Sequence, residues 1–324
     1  MNMTMKWLLK REFWEHKGGF FWAPVVVGAI IAIGTFATIL AGLVFKSKHG
    51  LNINGQQVTN FSSVISAEDQ ARIVEAASQG YIVSGAPLFM VMAVVVFFFC
   101  LGSLFDERKD RSVLFWKSLP VSDGETVLSK AAMALVGAPL ITLAFAIVTS
   151  ILVLLMGMVG AAMSGLNLAG VFGQADTYLT PVYIAATLPV YLVWALPTVG
   201  WLMMVSAWAR TKVFLWAVGV PVLTGVLLMW FAAMFDFDWN LEWFWKNIVA
   251  RGLLSVVPGS WFAFFDPDGN MPAGSQGTLP PGAFGFLALQ SWKTLASAHA
   301  IIGALLGAAM LYAAARIRRW KDEG

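Results

Sequence analysis

Ten charged side chains fall within Phe105–Lys130, FDERKDRSVLFWKSLPVSDGETVLSK, in a chain of which only 12% is charged. Asp106, Glu107, Arg108, Lys109, Asp110 and Arg111 come first, and Glu107 with Arg111 makes a stabilising i,i+4 pair on a helix. Val113, Leu114, Phe115 and Trp116 follow as an apolar patch, then Leu119-Pro120. Proline lacks the donor a helix interior needs and biases Leu119 away from the α region, which predicts a helix end near Ser118. Ser122 with Glu125 three residues on fits a capping box, so a second helix starts there. Mixed charge and a bulky aromatic on a helix–break–helix elbow suit docking of a soluble partner. They do not suit catalysis.

Elsewhere the residues that could do chemistry are few. Cys100 is the one cysteine, which leaves no intrachain disulfide and no cysteine metal site. His16, His49 and His299 lie far apart and form no ligand pattern, so no metal site is expected. Asp266-Pro-Asp268-Gly269-Asn270 lacks the downstream glutamate of a calcium loop and reads as a solvated turn. No G-x-x-x-x-G-K-[ST] loop occurs, so this chain has no phosphate loop of its own for hydrolysing ATP. The sequence predicts a protein that is not an enzyme and binds no cofactor itself.

The elements that must position the elbow are apolar. With 324 residues, 59% hydrophobic, 15 Trp and 24 Phe, the chain has a mean hydropathy of +0.74. Six runs are long enough to span a bilayer, at about 22–45, 81–104, 131–158, 182–208, 213–235 and 298–315. These spans carry no Asp, Glu, Lys or Arg, and their only histidine is His299, which disfavours an ion-coupled carrier. Met1–Phe21 mixes Lys6, Lys10, Arg11 and Lys17 with Trp7, Trp14 and leucines, as an interfacial helix does. Between the first two spans, Asn54-Gly55 signals a hairpin, and Ser66–Ser78 reads as a short helix stopped at Gly80. Gly157–Thr180 reads as a Gly-rich connector. Ile248–Phe265, cut by Pro258-Gly259, is too short on either side to cross and reads as a re-entrant or interfacial hairpin on the outer face.

Basic residues set the orientation. Residues 1–21, 105–130, 209–212 and 316–324 hold 15 of the 21 lysines and arginines, which places both termini and the elbow in the cytoplasm. The net charge of +3 is thus explained by topology rather than by nucleic acid, for which no partner role is expected. Trp194, Trp201 and Trp208 recur every seven residues on one helix face. They suit either the lining of a path for an amphipathic substrate or lipid contact and packing. Gly303 and Gly307, with Ala300, Ala304 and Ala308, give the sixth span a small-residue stripe for close packing, within the chain or across a dimer.

The run Glu107-Arg108…Asp110-Arg111-Ser112-Val113-Leu114…Ser118-Leu119-Pro120-Val121-Ser122…Glu125…Leu128-Ser129-Lys130 resembles the loop after the second membrane helix of ABC-2-type transporter permeases. Arg111 departs from the pattern, standing where many members have glycine. The resemblance implies an all-α, multi-pass protein of a bacterial-type inner membrane, the permease subunit of an ABC exporter. It also implies a separate ATPase partner holding ATP and magnesium, a second permease in a homo- or heterodimer, and short external helices between the fifth and sixth spans. Coupling to the ATPase would fall to Glu107, Arg108, Asp110, Arg111, Phe115, Trp116, Leu119, Pro120, Ser122 and Glu125. An ion-coupled carrier and a membrane scaffold that transports nothing are the alternatives.

Overall fold

Three prolines shape the apolar helices without ending them. In the computed structural model, which describes residues 3–49, 51–53, 56–58, 65–110, 121–236, 241–264 and 282–321, a π turn closes two residues before Pro24, Pro139 and Pro221. In each turn the residue before the proline donates its N–H five residues back: Ala23 to Gly18, Ala138 to Met133, Val220 to Leu215. A proline ring collides with the carbonyl four residues behind it, and the wider turn moves that carbonyl aside.

The helices in chain order are α1 (Met3–Glu15), α2 (Ala23–His49), α3 (Ala67–Gly80), α4 (Ala86–Gly102), α5 (Phe105–Lys109), α6 (Asp123–Ala132) and α7 (Ala138–Met163). They continue as α8 (Ala175–Ala186), α9 (Leu188–Trp208), α10 (Val220–Phe235), α11 (Leu241–Phe244), α12 (Arg251–Leu254), α13 (Ala283–Thr294) and α14 (Ala298–Lys321). One antiparallel ribbon, β1 (Leu51–Ile53) with β2 (Gln56–Val58), pairs Leu51 with Val58 and Ile53 with Gln56.

Among the described residues six helical runs are long and apolar enough to cross a membrane: Gly18–Ser47, Ala67–Lys109, Asp123–Met163, Ala175–Trp208, Leu215–Phe235 and Ala298–Trp320. Each contains one of the six runs read from the sequence, or nearly all of it, and the ends differ. The helix expected to stop at Gly80 runs through it, because Gly80 keeps right-handed helical dihedrals and a 3₁₀ turn joins α3 to α4. The expected connector 157–180 is helical at both ends, to Met163 and from Ala175. The sixth run continues past 315 to Lys321, and Arg318 on that last part is held by carboxylates of other elements.

At the centre of the bundle stands α9. It is apolar all round, as a helix buried on every side must be, and Val190, Trp194, Val199, Leu202 and Met203 are wholly enclosed. Its most extensive partner is α14, where Gly200 and Gly307 meet backbone to backbone. α4 packs on α9 and α7, and α2 packs on α7. By contrast, the Gly18–Ser47 and Leu215–Phe235 runs leave most of their apolar surface uncovered.

The apolar piece after α10 bends as the Pro258-Gly259 pair predicts. Helix from Leu241 to Leu254, with a π turn at Trp245–Ala250, ends before Gly259, which sits at φ +86. The Thr198 hydroxyl donates to the Arg251 carbonyl at 3.0 Å and accepts the Ser255 N–H at 3.1 Å. Thr198 is the middle residue of α9, so this piece lies beside the middle of the most buried helix.

Candidate functional site

Four elements from distant parts of the chain meet at one end of the bundle and share buried charge. Lys130 on α6, 1% exposed, places Nζ 2.9 Å from Glu12 Oε2 on α1 and 3.0 Å from Glu107 Oε1 on α5. Arg318 on α14 reaches Glu107 Oε2 at 2.7 Å and Asp123 Oδ1, at the start of α6, at 3.0 Å. Arg11 pairs with Glu12 and lies 3.5 Å from Glu107. Three carboxylates thus face three cations, and Glu12 is fully enclosed. Buried charge is tolerated when paired in this way, and removing one member is strongly destabilising. The arrangement joins α5 and α6 to α1 and α14.

The sequence expectation for Glu107 is corrected here. Its side chain does not project from the elbow toward a partner but turns inward to Lys130 and Arg318. Arg111, with which the i,i+4 pair was expected, lies outside the described residues, as do Phe115, Trp116, Leu119 and Pro120. Burial pushes the Glu107 carboxyl up, but the two neighbouring cations outweigh that and hold it below the usual range.

Arg108 also turns inward. Its guanidinium donates to the Ser206 carbonyl at 2.6 Å and the Ala209 carbonyl at 2.9 Å, at the end of α9. These are carbonyls that a helix end leaves without intrahelical partners, and a cation suits them. The Ser206 hydroxyl accepts the N–H groups of Leu104 and Phe105 at 3.1 and 3.0 Å. The first half of the elbow is therefore fastened to the central helix. Asp110 is exposed at the end of α5. The second half begins with the expected capping box: Glu125 N–H donates to Ser122 Oγ at 3.2 Å, and Glu125 Oε2 accepts Ser122 N–H at 3.0 Å.

The tryptophans at 194, 201 and 208 have three different settings. Trp194 is wholly buried and donates to Thr294 Oγ1 at 2.9 Å. Trp201 donates to the Ala217 carbonyl at 3.0 Å and borders a cavity. Trp208 is exposed and edge-on to Trp216. Gly303 and Gly307 are buried against neighbouring elements of the same chain. Glu12, Glu15 and His16 converge closely enough to suggest a metal group, but Glu12 is already held by Lys130 and Arg11.

Glu12, Asp123 and Arg318 escape sequence reasoning because their partners are far away in the chain. The local signal is confined to Glu12, an acid beside Arg11 ahead of the first span. Six apolar helices of spanning length define a multi-pass membrane protein. No protein-family model, curated protein or solved structure matches the chain.

Proposed function

We propose that the chain is the permease subunit of an ATP-driven ABC exporter, with both termini and the elbow in the cytoplasm and the 241–264 piece re-entrant from the outer face. The carrying observation is the buried ion-pair joint, which ties the elbow to α1 and α14 while Arg108 ties it to α9. A surface that receives a push from an ATPase must be stiffly linked to the helices it moves, and packed, ion-paired elements supply that link. The resemblance of Glu107–Lys130 to the ABC-2 loop supports the same reading. So does the lack of a phosphate loop in this chain, since energy then has to come from a partner. The inner membrane of a bacterial-type cell and a dimer with a second permease follow from this reading.

The test is at Trp116. Trp116→Ala should weaken binding of the ATPase by about 2 kcal/mol, roughly thirtyfold, as loss of an aromatic anchor does. Reversing Arg111 should add a salt-dependent loss. Arg108 is left out of this test because its guanidinium secures α9. Pull-down of the ATPase and ATP hydrolysis in reconstituted membranes give the readout. Full coupling in the Trp116/Arg111 double variant would remove the elbow as the energy input.

Orientation has its own check. Reporter fusions after Lys130 and Lys212 should be active only as cytoplasmic reporters, and fusions within 52–59 only as external ones. An external reporter active in the elbow would overturn the topology.

A further inference from the structure

Beside the middle of α9 lies a cation that faces no carboxylate among the described residues. Arg251 at the start of α12 is 7% exposed, and its guanidinium sits 5.0 Å from the Trp194 ring centre and 5.6 Å from that of Phe264. One terminal nitrogen donates to the His299 carbonyl. Nε is buried and has no hydrogen-bond partner, and among the described residues no carboxylate pairs with the group. Gly303 makes room for it, since a Cβ there would run into the guanidinium. Guanidinium does not lose its proton in proteins, so burial cannot be relieved by neutralisation. Aromatic faces and one carbonyl offset part of the desolvation cost and leave the net charge in place.

This cation lies at the edge of a cavity of about 420 Å³ between α9, α12 and α14, a size suited to a small molecule. Pro197, Trp201, Ile248, Ile302, Leu306 and Met310 form its apolar walls, and Asn247 and His299 stand with Arg251 at the polar end. Ile302 and Leu306 are exposed, so the cavity is open along the apolar flank of α14. A small hydrophilic anion would gain nothing from such walls. A purely apolar guest would add no counter-charge at Arg251, where the described residues supply none.

We propose that this cavity binds an amphipathic anion, whose carboxylate or phosphate pairs with Arg251 while its apolar body lies along Trp201, Ile302 and Leu306. Entry is sideways, past Ile302, from the surrounding apolar phase. Binding needs neither ATP nor a partner subunit, so its failure would leave the exporter reading untouched, and the reverse holds as well.

The experiment uses the full chain in nanodiscs of phosphatidylcholine, with radiolabelled laurate and dodecyl phosphate as probes and empty nanodiscs as background. Dodecanol and dodecyltrimethylammonium serve as neutral and cationic controls of the same length. Both anions should bind saturably and more tightly than either control, and R251Q should weaken them at least about tenfold while leaving dodecanol unchanged. I302W, at an exposed position on the cavity rim, should block entry and weaken all binding in the cavity. Laurate binding unchanged in R251Q, or matched by either control, would overturn the proposal. Should R251Q fail to fold, unchanged laurate binding in I302W would overturn it equally. Displacement of laurate by phosphatidylglycerol in the nanodisc assigns the site to an anionic phospholipid, and lack of displacement assigns it to a single-chain amphiphile. Either result upholds the anion site.

Discussion

Lys130→Met should cost on the order of 3–5 kcal/mol of folding stability, far beyond an ordinary surface substitution. Methionine keeps the length of the lysine stem, so packing changes little. The charge is what goes. Glu12, fully enclosed, keeps Arg11 and, 4.0 Å away, the His16 ring, and Glu107 keeps Arg318 and the more distant Arg11. Adding Glu12→Gln to the variant removes the surplus negative charge and should recover part of the loss, since the two sites touch and their effects cannot be additive. Unfolding of the full chain in detergent, with the four members of this cycle compared, provides the measurement. A single variant within about 1 kcal/mol of wild type would mean the joint is a surface ion pair in effect.

The pH dependence gives an independent handle, and its sign differs between the two proteins. In the wild type the Glu107 carboxyl is held below the usual range by Lys130 and Arg318 despite burial. Such a group contributes stability that is full above its unfolded-chain pKa and lost as pH falls through the native value, so little should change from about pH 7.5 to about 5.5. In Lys130→Met, burial acts on Glu107 with one cation fewer and raises the native pKa. A raised carboxyl pKa makes the native state bind the extra proton, so the variant should gain stability as pH falls over the same window. A variant as flat as wild type would place the lost energy in packing rather than charge.

The spans were legible in the sequence because nothing but a bilayer or a deep core accommodates such runs as Val25–Phe45 or Leu140–Met158. The capping box at Ser122 and Glu125 and the bend at Gly259 were legible too, since both depend on neighbours a few residues away. Long-range pairing was not. Lys130 and Glu12 are 118 residues apart, and Arg318 and Glu107 are 211 apart, so no local pattern links them. Pairing Glu107 with Arg111 rests on the i,i+4 spacing of a helix, whereas the fold supplies Lys130 and Arg318, which lower the cost of its burial. In the sequence Arg251 is a lone basic residue within the apolar piece Ile248–Phe265. Only the packing of α12 on α9 shows it facing Trp194.

Gly307→Val should separate α14 from α9 and cost about 3 kcal/mol or more. A Cβ at 307 would lie 2.6 Å from the Leu196 carbonyl oxygen and 2.8 Å from the Pro197 nitrogen, closer than real Cβ contacts come. Overpacking usually costs about 1–3 kcal/mol when side chains can swing away. Here the obstacle is backbone of the most enclosed helix, so relief requires moving a whole element. The buried positions of α14, Ala300, Gly303, Gly307, Ala314 and Arg318, lie along one stripe that ends in the ion-pair joint. Displacing the helix at 307 should therefore loosen Arg318 from Glu107 and Asp123 about three turns away. Gly307→Ala should show the same direction with a smaller loss. The competing use of this stripe, contact between two copies of the chain, makes a different prediction. Monomer stability in detergent would then hold steady while the oligomer dissociated. Unfolding and light scattering on the same samples separate the two, and the packing of α14 on α9 predicts loss of stability with no change of oligomeric state.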